Sequence, residues 1–213
     1  MKNKKEKKGT LLKDAMALFT VTLVAALALT FVYEMTKAPI ADQEKLKKER
    51  VYQAVYPDTV AELDEELTML TKETSLSGLN SDYNNVTIDE ISKVYDSNKN
   101  HIGYIIQVSS KGYNDTITLM FGYSLEGAIQ NLEFLSLNET AGLGMNASEP
   151  EFLKQFHGKS VNPLVVTKTG ATEDNQIDAI SSATITTNAV VKAVNAGIDF
   201  LKQNADIGGG ANE

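Results

Sequence analysis

The sequence predicts an α+β protein: a single membrane-spanning helix near the amino terminus, followed by a domain outside the membrane in which an antiparallel sheet is flanked by helices. Three observations carry this. Residues 15–33 form an apolar run without one charge. Residues 91–137 hold four segments rich in β-branched and aromatic residues, parted by turn signals. The stretch before the tail repeats Val190, Val194, Ile198 and Leu201 at helical spacing.

The apolar run, AMALFTVTLVAALALTFVY, would extend about 28 Å as a helix, close to the hydrocarbon thickness of a bilayer. Thr20, Thr22 and Thr30 are tolerable there, because a hydroxyl can bond back to the preceding turn. A cleaved signal would want a shorter apolar core and a small-residue site at its end, and Ala26-Leu27-Ala28 lies inside the run. A soluble helix is rarely apolar on every face. A retained anchor over 15–36, embedded in membrane lipid, is therefore expected. Within residues 1–13, six lysines (2, 4, 5, 7, 8 and 13) stand against Glu6, a net of +5. The five cations after the span (37, 45, 47, 48 and 50) are mixed with acids. The positive-inside rule then places residues 1–14 in the cytoplasm, the span in the cell (inner) membrane and the following domain outside.

Pro39 is expected to end the span region, and residues 40–56 show helical spacing up to the stop at Pro57-Asp58. Residues 37–89 read as a helical and linker region, with a short helix near 59–69 and then a loop. The domain proper is expected over 90–204. In its third strand, Ile117, Leu119 and Phe121 alternate with Thr116, Thr118 and Met120, so one buried face and an antiparallel meander are expected. A loop over 139–150, a short helix ending at Gly158 and a strand over 164–168 follow. The last helix is expected from about Thr186 to Gln203, with a flexible tail over 205–213.

Composition narrows the function. There is no cysteine, which removes disulfides, cysteine-held iron–sulfur clusters and zinc ribbons. His101 and His157 match no metal-ligand spacing, so no metal is expected. The net charge is -8, so the 200 residues after the basic end carry -13, which argues against nucleic acid as a partner. No nucleophile–base–orienter set is apparent, and no catalytic residue is assigned.

One stretch carries more hydroxyls than a helix start needs: DAISSATITTNAV, residues 178–190. A helix amino terminus offers unpaired N–H groups that suit a phosphate. The dipole contributes only about 0.3–1 kcal/mol, whereas micromolar retention needs about 8 kcal/mol. A covalent bond would remove that shortfall. Thr184 has the hydroxyl for one, and Ser181, Ser182 and Ala183 beside it are small. Taken alone, the residues also allow a plain cap, with Thr186 or Thr187 as the capping residue.

Asp178-Ala-Ile-Ser-Ser-Ala-Thr184 resembles the D-x-x-(S/T)-G-A-T flavinylation motif of the FMN-binding domain family. The loop Glu139-Thr140-Ala141-Gly142-Leu143-Gly144 resembles that family's E-T-P-G-L-G loop, and Gly103-Tyr104, Gly112-Tyr113 and Phe156-His-Gly-Lys159 fit its pattern as well. The resemblance covers about residues 90–203. It implies FMN joined through its phosphate to the Thr184 oxygen by a separate flavin transferase that uses FAD, with Asp178 read by that enzyme. It further implies that Ser181, Ser182, Ala183 and the loop residues Glu139, Thr140, Gly142, Leu143 and Gly144 adjoin the cofactor. Two positions depart from the pattern: Ser182 replaces Gly and Ala141 replaces Pro.

Anchor and length are similar to one branch, the G subunits of Rnf-type ion-translocating ferredoxin:NAD+ oxidoreductases. That branch implies electron relay among other membrane and redox subunits, coupled to ion movement. Alternatives are the C subunit of a sodium-translocating NADH:quinone reductase, a stand-alone exported flavoprotein and a non-redox anchored binding module.

Overall fold

The computed structural model describes residues 3–74, 76–160 and 163–205. The chain divides into two compact units, residues 1–47 and 48–213.

The first unit is helical throughout its described part. Helix α1 runs from Asn3 to Val55 and contains a segment long and apolar enough to cross a membrane. Its side chains between residues 11 and 40 are exposed all round, as an anchor in lipid requires. The threonine hydroxyls turn back onto the helix: Thr20 donates to the Met16 carbonyl, Thr22 to Leu18 and Thr30 to Ala26. Pro39 does not end the helix, contrary to expectation. A proline removes one helical hydrogen bond and favours a bend, but helix-forming residues on both sides carry the element on.

The second unit contains a five-stranded antiparallel sheet in the order β1-β2-β3-β4-β5. Its strands are β1 (Val60–Leu63), β2 (Val86–Tyr95), β3 (His101–Lys111), β4 (Thr116–Ser124) and β5 (Ile129–Ser136). The last four form the expected meander. β1 was not expected, because VAEL is made largely of helix-forming residues. It is extended because it pairs with β2, Val60 opposite Tyr95 and Leu63 opposite Ser92, and a long-range partner overrides a weak local preference. Helix α2 (Glu65–Glu73) starts only after Asp64, whose carboxylate accepts from the Leu67 amide at 3.0 Å.

Asp64 also binds Lys93 of β2 at 2.9 Å. Burial alone would raise its carboxyl, but the Leu67 amide and the Lys93 ammonium outweigh that and hold it below the ordinary carboxylate range. A folded-state value depressed in this way stabilises the fold above the unfolded-state carboxylate range, and the contribution is lost as pH falls through the folded-state value. Asp64→Ala is expected to cost about 1–2 kcal/mol near neutral pH, mainly as a lost cap, and less in acid. Urea unfolding at two pH values checks both signs.

One sheet face carries the main core. Ile106, Val108, Leu119 and Phe121 pack there with Val190, Val194, Ile198 and Leu201 of the last helix, α5 (Thr184–Asn204). The opposite face is covered too: Val51, Val55 and Tyr56 close over Val94, Ile105 and Met120. This is why Met120, expected on an open face, is fully buried. The Tyr56 ring lies over Gly122 of β4, where a Cβ would come within 2.7 Å of it.

A short α3 (Leu76–Leu79) follows α2 ahead of β2, and between β5 and the last helix come α4 (Pro150–Leu153) and a small parallel pair, β6 (Val165–Thr167) with β7 (Gln176–Asp178). The expected helix toward Gly158 is regular only over α4 and ends in turns, with Gly158 at φ +74°. The tail lies, beyond Ala205, outside the described residues.

Candidate functional site

A cavity of about 530 Å³ opens where three segments of the second unit meet. The β3–β4 hairpin contributes Tyr113, the loop after β5 contributes Glu139, Thr140, Leu143 and Gly144, and the start of α5 contributes Ser182 to Thr186.

The helix start is built unlike an ordinary cap. α5 begins at Thr184, two residues earlier than expected, with Ala183 in the capping position and no side-chain cap. The threonines expected to cap turn elsewhere. Thr187 donates to the Ala183 carbonyl at 3.0 Å and accepts from the Ile180 amide at 3.1 Å. Thr186 donates to Glu139 Oε2 at 2.9 Å and is fully buried. Both lie inside the first turn, and their hydroxyls are taken up by these bonds and cap none of the helix's own first amides. The first-turn amides are thus left without a side-chain cap among the described residues, and such amides suit an anion. Thr184, half-buried, presents its hydroxyl at the same mouth.

Ser182 has φ +60°, the left-handed conformation that favours glycine. The family pattern has Gly there, so the fold keeps that conformation and a side chain bears the strain. Ser182→Gly is expected to stabilise the chain by about 1 kcal/mol, the penalty of a Cβ in that region. A rise in the urea midpoint with an unchanged slope would show it.

Glu139 ties the three segments together. Its side chain is 9 % exposed, and Oε1 accepts from the Asn114 amide at 3.0 Å while Oε2 accepts from Thr186. Gly144 makes room for it, since a Cβ there would lie 2.7 Å from Glu139 Cβ and from Thr186 Oγ1. Gly142, at φ +72°, turns the loop but does not line the cavity.

Of the residues singled out from sequence, the structure brings Glu139, Thr140, Leu143, Gly144, Ser182, Ala183 and Thr184 to one wall. Asp178 and Ser181 stand outside it. Asp178 ends β7 and borders a separate groove with Glu149, Glu151 and Gln155, while Ser181 is exposed. Sequence reasoning missed Tyr113, Ile185 and Thr186 as lining residues. Tyr113 and Ile185 are exposed large side chains, 66 % and 55 %, and with Leu143 they form an apolar rim. The Gly-Tyr pattern in the hairpin was the available signal for Tyr113.

The FMN-binding domain family matches residues 112–199, which hold every lining residue. The chain is 38% identical over 98 residues to the G subunit of the proton-translocating ferredoxin:NAD(+) oxidoreductase complex of Clostridium ljungdahlii, an alignment spanning 46% of this chain and about half (52%) of that protein. It is 30% identical over 205 residues to the G subunit of the Na(+)-translocating ferredoxin:NAD(+) oxidoreductase complex of Acetobacterium woodii, spanning 89% of this chain and 91% of that one. The solved structure of the C subunit of Na(+)-translocating NADH-quinone reductase from Parabacteroides distasonis shares the fold, with TM-score 0.54 and 16% identity over 81% of this chain and 97% of that one. Nine-tenths coverage at this identity, together with the FMN-binding domain, places the chain in the family of G subunits of ion-translocating ferredoxin:NAD+ oxidoreductase complexes.

Proposed function

We propose that the chain carries FMN as a phosphoester on Thr184 Oγ1 and relays electrons within a membrane complex that couples ferredoxin–NAD+ electron transfer to ion translocation. The observation that supports this most is the half-buried Thr184 hydroxyl beside uncapped helix amides, inside a cavity of about 530 Å³. The residues fit the group. The first-turn amides would hold the phosphate, and Ser182 and Ala183 leave room for it. Thr140 and the apolar rim of Tyr113, Leu143 and Ile185 would flank the ring and exclude water.

When bound, the flavin supplies the electron chemistry; the chain supplies attachment, orientation and electrostatics. In the attachment, a flavin transferase would break the phosphoanhydride of FAD. The Thr184 oxygen gains the phosphorus, AMP leaves, and the threonine proton is released. Asp178, in the neighbouring groove, is the motif residue for that enzyme to read.

The segment over 15–33 has no charge, so it offers no ion path by itself. Ion movement would belong to partner subunits, with α1 holding the chain in the bilayer among them. The lysine-rich start sets the cytoplasmic side, which leaves the flavin domain outside. Similarity over nine-tenths of a G subunit favours this assignment over a quinone-reductase C subunit, for which the fold alone is shared.

The test is production in a host with a flavin transferase, followed by three readings. A fluorescent band after denaturing electrophoresis shows covalent flavin. Mass spectrometry of the Thr184 peptide locates it. Co-purification in mild detergent identifies the membrane subunits. A dark band defeats the covalent reading, and a fluorescent chain that brings no partners supports a stand-alone flavoprotein.

A further inference from the structure

The cavity holds one acid, and among the described residues no Lys, Arg or His lines it. That is an unusual wall for a site meant to take an anionic cofactor. The acid is Glu139, and both its oxygens accept from uncharged donors, the Asn114 amide and the Thr186 hydroxyl. The described ion pairs involve Glu90 and Asp64, not Glu139. The fold gives up side chains on two sides to admit it, because a Cβ at Gly112 or Gly144 would collide with the carboxylate. A brace between hairpin and helix needs only a hydrogen-bonding group, and a neutral amide of the same length would cost less to bury. The charge therefore asks for a purpose of its own.

We propose that Glu139 is a positioning residue which, through Thr186 and the hairpin amide, sets the cavity wall, and that its fixed negative charge holds the potential of the flavin low. This rests on the flavin reading above. Reduction places added negative charge on the cofactor. A carboxylate in the same water-poor wall raises the energy of the reduced form more than that of the oxidised form. The result is a better electron donor than the same flavin in a neutral pocket.

The experiment uses the full chain, produced with a flavin transferase and purified in detergent as wild type, Glu139→Gln and Glu139→Asp. Covalent loading is read by fluorescence of the denatured band, and the midpoint potential by spectroelectrochemical titration. Glu139→Gln is expected to load and to titrate at a more positive potential, with Glu139→Asp close to wild type. An unmoved midpoint in loaded Glu139→Gln overturns the proposal. So does a Gln variant that stays dark while the Asp variant loads with its midpoint displaced from wild type, since the acid would then act through shape alone. If neither variant loads, exposed Thr140 in the same wall decides. Thr140→Lys must move the midpoint positive, and an unmoved one overturns the proposal. A dark wild-type band is a different failure: it defeats the covalent reading itself, and this proposal with it.

Discussion

Thr184→Ala is expected to abolish covalent flavin completely while leaving the fold in place. The hydroxyl makes no hydrogen bond among the described residues, and Thr184 opens α5 rather than filling the core. Its removal therefore leaves no buried group unsatisfied, and alanine is the better helix former by a few tenths of a kcal/mol. The melting temperature of the unmodified chain should hardly move. Loading should fall from full to none, because no neighbouring hydroxyl is an equivalent acceptor. Thr186 is buried with its proton committed to Glu139, and Thr187 is buried against the Ala183 carbonyl. Ser182 and Thr140 are the other aliphatic hydroxyls in the described wall with access to solvent. Thr184→Ser should recover part of the loading, since the oxygen remains while the methyl that restricts its rotamer is gone. A Thr184→Ala band that still fluoresces would move attachment to Ser182 or Thr140, which peptide mass spectrometry would separate.

Much of this was legible in the chain itself, and the failures share a cause. The anchor was readable because lipid imposes a length and an absence of charge that soluble structure seldom matches. The meander and the buried face of α5 were readable because period-2 and period-3.6 patterns are local. The motif placed Thr184 at a helix mouth, and the structure puts it there. What sequence did not show depends on partners distant in the chain. β1 is a strand only because β2 lies beside it. Thr186 lies inside the helix and not at its cap, and its hydroxyl donates to Glu139, 47 residues earlier. Met120 is buried only because residues 51–56 return over the second face of the sheet. The left-handed turn at Ser182 had a local hint, the glycine of the motif, and the serine there kept the geometry at a cost in strain.

The same dependence on distant partners sets the largest stability effect. Phe121 of β4 is fully buried, and its ring reaches the backbone of α5 at Gly197, where a Cβ would stand 2.8 Å from Cζ. Glycine lets the helix sit directly on the ring, and the ring supports the helix whose start carries Thr184. Phe121→Ala should cost about 3–5 kcal/mol, the transfer term plus the void that remains. That corresponds to a melting temperature lower by roughly 10 °C for a chain of this size. Gly197→Ala errs in the opposite direction, overfilling the same contact, and should cost about 1–3 kcal/mol. In the double variant the added methyl occupies part of the space that the ring vacates, so its cost should fall short of the sum of the two single costs by about 1 kcal/mol or more. Strict additivity would mean that helix and sheet do not bear on each other at this point. Residue 184 lies thirteen positions up the helix, about 20 Å from the damage. Well below the melting point Phe121→Ala should therefore still accept flavin, and its capacity to be loaded should fall only in step with unfolding. Loss of loading at temperatures where the variant remains folded would mean instead that the helix mouth is held by how α5 seats on the sheet, and not by the local bonds among Ile180, Ala183, Thr186, Thr187 and Glu139.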